Sequence, residues 1–251
     1  MLNITIITLY EIGHQSFGAA SAGAWLRQAG ARVSYQDLSV QALDETGIQA
    51  ADLVALHLPM HTATRIAAAI LPRLRHLNPM AHICCFGLYA PINESYLRRL
   101  GVQTILGGEF EEGLLALCQR LAGAAQQRDE SAQSQQEPTI SLERQQFLPP
   151  DRAGFPALSQ YAAVELGDKT RRAAGYTEAT RGCKHLCRHC PITPIYNGAF
   201  RVVQKEVVLA DIRNQVLAVE PATLPLATPI FSTGRATRWP LCRRCTLNFP
   251  T

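Results

Sequence analysis

Ile4-Thr5-Ile6-Ile7-Thr8-Leu9 is an unbroken run of apolar and β-branched residues, the composition of a strand. Four more runs of this kind follow, at Val33–Leu38, Leu53–His57, His82–Gly87 and Thr104–Leu106. Helical stretches near Ala19–Gln28, Ala63–Leu74, Glu94–Leu100 and Gly113–Ala122 lie between and after them. Strands that alternate with helices predict an α/β domain: a doubly wound, mainly parallel sheet covered on both faces, with ligands at the carboxyl ends of its strands. The loops at those ends carry Glu11-Ile12-Gly13-His14-Gln15, Met60-His61-Thr62-Ala63-Thr64 and Gly107-Gly108-Glu109.

Composition narrows the class. A length of 251 residues suggests one to two domains, and 47% hydrophobic residues is ample for buried cores. A net charge of +4 is too mild to imply a nucleic-acid partner. Met1-Leu2-Asn3-Ile4-Thr5 leads straight into the first strand, without the basic segment and apolar core of a signal peptide. The longest apolar helical stretch, near Ile66–Leu74, is short and interrupted by Pro72 and Arg73, so no membrane span is expected. Eight cysteines without an export signal read as reduced thiols or metal ligands, and the expected compartment is the cytoplasm.

The expected organisation has four parts. The sheet domain occupies 1–123. Residues 124–146 shift to Gln, Ser, Glu and Arg, the composition of a solvated linker. Residues 147–218 follow, with Gly175–Thr180 as a strand and Val207, Val208, Ile212, Val216 and Leu217 as the apolar stripe of a helix. Residues 219–251 read differently again.

The chemistry is concentrated in Thr180-Arg181-Gly182-Cys183-Lys184-His185-Leu186-Cys187-Arg188-His189-Cys190-Pro191. Three thiolates at this spacing suit three irons of a cubane [4Fe–4S] cluster and leave the fourth iron open to a substrate or cofactor. Zinc stays open as an alternative, since His185 or His189 could complete a tetrahedral set. Cys84 and Cys85 are neighbours on one strand and point to opposite faces, so they cannot easily share a small cluster. With Cys118 they read as buried thiols.

Cys183, Cys187 and Cys190 in this arrangement resemble the triad of radical S-adenosylmethionine (radical SAM) enzymes. The flank Thr180-Arg181-Gly182-Cys183 is similar to the branch with an N-terminal cobalamin-binding-like domain. The resemblance implies a [4Fe–4S] cluster whose open iron is chelated by SAM, and reductive cleavage of SAM to methionine and a 5′-deoxyadenosyl radical. It also implies an electron donor such as flavodoxin or ferredoxin, and an unknown substrate. His189 takes the position that in the family lies against the adenine. The fold implied for 147–218 is the start of a partial (β/α) barrel. Cobalamin is the further cofactor that the resemblance suggests, with His14, His61, Gly107 and Gly108 as the candidate site. The Asp-x-His-x-x-Gly signature of such sites is missing, and Gly107-Gly108 equally serves a close backbone approach to a helix. The stretches Thr8–Gly18 and Leu58–Arg65 look like a subgroup named for a Cys/Sec-Cys-Ala-Glu-Pro tail, which is itself absent here.

After Ala218 the barrel pattern stops. Pro221, Pro225 and Pro229 argue against helix and central strand alike. Shifting the reading frame from Val219 permits Gly-Ala-Arg-His-Ile-Thr-Phe-Gly-Asp-Pro-Asp-Phe, the continuation that close relatives would show. The expectation is that 219–251 is a frameshifted tail and that the chain is an inactive, truncated form with an incomplete barrel. Cys242 and Cys245 would then be accidental. The competing expectation is non-enzymatic: a corrinoid- or small-molecule-binding α/β domain with an inert or zinc-bound Cys segment.

Overall fold

Neighbouring strand residues point to opposite faces, so each apolar strand of this chain feeds two cores. In the computed structural model, which describes residues 1–126, 137–165 and 169–217, that is how the first half is built. Its elements run β1 (Asn3–Thr8), α1 (Phe17–Gln28), β2 (Arg32–Asp37), α2 (Glu45–Gln49), β3 (Leu53–His57) and α3 (His61–Leu77). They continue through β4 (His82–Phe86), α4 (Tyr89–Ile92), α5 (Glu94–Arg99), β5 (Thr104–Gly108), α6 (Glu111–Gln126) and β6 (Ile140–Ser141).

The strands form one six-stranded sheet in the order β2-β1-β3-β4-β5-β6, and every pairing is parallel. The direction of winding reverses between β1 and β3, the switch point of a doubly wound sheet. Ile7, Val54, Leu56, Ile83, Cys85 and Ile105 pack on one face against α3 residues such as Leu71 and Leu74. Ile4, Ile6, Ala55, Cys84, Phe86 and Leu106 pack on the other face against α1 and α6, through Leu26, Leu114 and Leu117. Cys84 and Cys85 thus lie in opposite cores, as the alternation requires, and Cys118 is buried on α6.

Three sequence expectations need correction. Pro72 does not end its helix: α3 continues through it to Leu77, in a helix whose face is fixed by the buried Ala63, Ala67, Leu71 and Leu74. Among the described residues no helix is long and apolar enough to cross a membrane. Residues 137–146, expected within a solvated linker, are folded onto the sheet. Ile140 and Ser141 pair with Gly107 and Gly108, and Gln145 is buried. Their polar composition hides this because the segment is an edge strand held by polar bonds; Glu137 accepts from Arg120 Nε and Nη2 at 2.8 and 2.9 Å.

The third correction concerns 147–217. A 3-10 turn at Leu158–Gln160 precedes β7 (Ala163–Glu165), β8 (Arg171–Ala173), β9 (Thr180–Gly182), α7 (Thr193–Tyr196), β10 (Phe200–Val202) and α8 (Lys205–Leu217). β7–β8 and β9–β10 are two antiparallel ribbons, and no parallel barrel strand occurs among the described residues. Residues 175–179 do not join a sheet, and at Tyr176 side chains claim the backbone. Tyr176 N donates to Gln215 Oε1 and Tyr176 O accepts from Arg152 Nη2, at 3.0 and 2.7 Å. The helix expected at Val207–Leu217 forms, but its buried face includes Asp211 and Gln215, while Leu217 is exposed. Residues 219–251, with the proposed frame shift and Cys242 and Cys245, lie outside the described residues.

Candidate functional site

Where the winding reverses, the carboxyl ends of β1, β3, β4 and β5 open onto a cavity of about 280 Å³. Its floor is Glu11 and His14 after β1, His57 at the end of β3, Gly87 after β4, Gly108 at the end of β5 and Phe110 after it. Its roof comes from the second half of the chain: Tyr176, Glu178, Thr180, Arg181, Gly182 and Tyr196. A ligand in this position would be held between the sheet and the segment that leads into Cys183.

His57 is the centre of the floor. It ends a fully apolar strand and is buried. A Cβ on Gly18 would stand 2.7 Å from His57 Nε2, and one on Gly87 would stand 3.0 Å from Cδ2, so only glycines leave room for the ring. His57 Nδ1 lies 2.9 Å from Ser16 Oγ and 3.5 Å from Glu11 Oε2. Ser16 also caps α1, its Oγ accepting from Ala19 N at 3.1 Å. Burial pushes the Glu11 carboxyl up, but the hydrogen bond and charge of His57 outweigh it and hold the group below the usual carboxylate range. The residue between Glu11 and Gly13 is strained: Ile12 has φ 52° although β-branched and 64% exposed.

Arg181 locks the roof. Its Nη1 and Nη2 donate to Glu111 Oε2 and Oε1 at 2.9 and 2.7 Å, and its Nε donates to Glu178 Oε2 at 3.2 Å. The guanidinium lies 4.7 Å from the Phe110 ring centroid and 4.9 Å from that of Phe147, over their faces. Glu111 is saturated, taking further bonds from Ser21 Oγ and Gln145 Nε2 at 2.7 Å each. Glu109 is not. Tyr196 Oη donates to its Oε1 at 3.2 Å, but Oε2 has no hydrogen bond, and burial pushes its carboxyl up to about 7. A second arginine, Arg152, joins Asp211 of α8, Gln15 of the β1–α1 loop and the Tyr176 carbonyl.

The candidates from sequence are only partly gathered. His14 lines the cleft, stacked on Tyr176 at 3.6 Å between centroids and 12° between planes. Burial lowers its pKa. His61 lies elsewhere, exposed at the start of α3 in a groove with Tyr89 and Tyr96. Gly107 makes room for Pro91 of α4, and Gly108, at φ +69°, for the Ser141 backbone. Their close approach is to protein, although Gly108 also borders the cleft. His189 is exposed and does not line it.

Cys183, Cys187 and Cys190 sit in the loop between β9 and α7, Cys187 exposed and the other two partly so. The loop is turned by bonds from Cys190 N and Thr193 Oγ1 to the Cys187 carbonyl, at 3.1 and 3.0 Å. Among the described residues no three His, Cys, Asp or Glu side chains come together as a ready-made metal site. The donor chemistry nevertheless separates the triad from the remaining described thiols. Burial pushes the Cys84 and Cys85 thiols far up, whereas the triad is open to solvent.

Sequence reasoning passed over Glu11, His57, Glu111 and Arg181 as site residues. His57 had a signal, an ionisable residue closing an apolar strand; Glu111 had none, since its partner is 70 residues away. No protein-family model matches the chain, and no curated protein matches it. Among solved structures it is similar to a flavodoxin-like domain from Synechococcus sp., at 19% identity and a TM-score of 0.33, over 49% of this chain and 96% of that one. At that level the fold is defined by this chain's own strand order.

Proposed function

We propose that the chain is a radical SAM-type protein in which Cys183, Cys187 and Cys190 hold a [4Fe–4S] cluster beside the cleft. The observation that carries this reading is continuity: Thr180, Arg181 and Gly182 line the cleft and Cys183 is the next residue. A three-thiol donor set without a fourth ligand fits a cluster that keeps one iron open for SAM. The chemistry such a cluster supplies when bound is one-electron reduction of SAM, cleaving it to methionine and a 5′-deoxyadenosyl group. An external electron donor is part of the proposal.

The chain's own residues hold and shield. Arg181, clamped to Glu111, fixes the strand from which the Cys loop departs. Phe110 and the stacked His14–Tyr176 pair line the cleft with aromatic surface. With 219–251 read as a shifted frame, the expectation is a cluster held without SAM turnover.

Anaerobic reconstitution with ferrous iron and sulfide tests the reading. About four irons per chain are expected, lost in Cys187→Ser. Tightly bound zinc in place of iron, or iron content indifferent to Cys187→Ser, would replace it with a non-enzymatic small-molecule-binding domain.

A further inference from the structure

Two side-chain stripes at helical spacing line a groove between α3 and the α4–α5 pair. His61, Thr64, Arg65 and Ala68 form one, and Tyr89, Ile92, Asn93 and Tyr96 the other, each at i, i+3, i+4 and i+7. Such stripes normally close on each other. Here about 390 Å³ stays open between them, and Ile92 and Tyr96 are 42% and 44% exposed. The groove is about 10 Å long, two helical turns. It shares no lining residue with the cleft.

The charges around the groove have one sign. Its lining holds a permanent cation, Arg65, and no carboxylate. Arg65 makes no hydrogen bond or ion pair with any described residue. The other arginines of α3 are committed, Arg73 to Glu45 and Arg75 to the Ala81 and Gly101 carbonyls. Glu94, the acid of α5, is taken by Arg98 at 2.8 Å. Arg99 adds a second positive charge, its Cζ 5.9 Å from the Tyr96 ring centroid. α3 begins at the groove without a side-chain cap from Met60, so its dipole has the same sign there. An incoming cation would find no counter-charge, whereas an incoming anion would complete Arg65. The rest of the wall is aromatic and aliphatic: Tyr89, Tyr96 and Ile92, with the His61 ring 6.4 Å from that of Tyr89. Neither tyrosine hydroxyl is bonded to a described residue, and such rings favour a flat aromatic partner. A volume of about 390 Å³ is within the range of small-molecule sites.

We infer that this groove binds a small aromatic anion, an arene bearing a carboxylate or phosphate, its charge meeting Arg65 and its ring lying against Tyr89 and Tyr96. The site goes beyond the function proposed above and asks nothing of the cleft or the Cys loop.

Calorimetric titration of the full chain at neutral pH and low salt tests it with four probes of one ring: naphthalene-2-carboxylate, 2-naphthyl phosphate, 2-naphthylmethanol and 2-naphthylmethylamine. At least one anion is expected to bind about five- to tenfold tighter than the alcohol, with the amine weakest, and the tighter anion names the group recognised. The margin is expected to shrink at high salt. Arg65→Gln, at an exposed position, is expected to remove it, while Arg32→Gln, exposed on β2, keeps it. Tyr96→Ala is expected to weaken the anions and the alcohol alike. Equal affinity for anions and alcohol, tighter binding of the amine, no saturable binding of either anion, or a margin unchanged in Arg65→Gln would each overturn the inference. Tighter binding of a hexaglutamate peptide than of either aryl anion would overturn it in favour of an acidic polypeptide. Should Tyr96→Ala not fold, the probe ranking on the parent chain and on Arg65→Gln decides.

Discussion

Arg181 and Glu111 meet as a two-pronged ion pair, with 2.9 Å from Nη1 to Oε2 and 2.7 Å from Nη2 to Oε1, and both side chains are buried. One residue stands at the end of the segment leading into the Cys loop; the other opens the last helix of the sheet domain. Removing one partner of such a pair strands the other. Arg181→Met is expected to lower unfolding free energy by about 3–5 kcal/mol in urea. The double variant Arg181→Met/Glu111→Gln recovers much of this, and a strictly additive double-mutant cycle would contradict the pairing.

Glu109 predicts a pH effect of the opposite sign to an ordinary ion pair. Its folded pKa of about 7 lies above its ordinary value of 4.5, so between these pH values the folded state carries the extra proton. Stability from this group is therefore full below 4.5, falls as pH rises through about 7, and stays lost above. Glu109→Gln is expected to stabilise by up to about 3 kcal/mol near pH 8 and to change little near pH 4.5. Thermal melts of variant and parent at both pH values measure the difference.

Ile12 holds a left-handed backbone at the cleft rim with its side chain 64% exposed, so little packing is lost on replacing it. Asparagine tolerates that conformation. Ile12→Asn is expected to raise stability by about 1 kcal/mol, read as a higher denaturation midpoint at unchanged slope.

Gly182 has φ +76°, and a Cβ there would collide with the Ala199 carbonyl oxygen across the β9–β10 ribbon. Gly182→Ala is expected to cost about 2–3 kcal/mol, from left-handed strain and the parting of the ribbon. Amide exchange at Arg201 and Val202 should accelerate in the variant; unchanged protection there would contradict the assignment.

The sheet domain was legible because its signals are local. Each of the five expected strands overlaps an observed one within two residues, since apolar and β-branched runs fix their own conformation. The Cys spacing is a local signal of the same kind, and the cluster it suggests belongs to the proposal above. What stayed hidden depends on pairing across long sequence separations. β6 is two residues of polar context that become a strand only beside β5. Arg181 reads as part of a Cys motif until Glu111 and Phe110 surround it. Glu11 looks like any loop acid, and its pairing with His57, 46 residues away, is visible only when the chain is folded around it.

Arg152 has a consequence for how the molecule comes apart. It grips Asp211, Gln15 and the Tyr176 carbonyl at once, and Arg181 makes a second such grip on Glu111. Both roof and floor of the cleft hang on these clamps, so neither can loosen while the other keeps its place. A sequence that divides into two domains and a linker should therefore lose its order in a single calorimetric transition, with amides of β1 and β9 exchanging at a common slow rate.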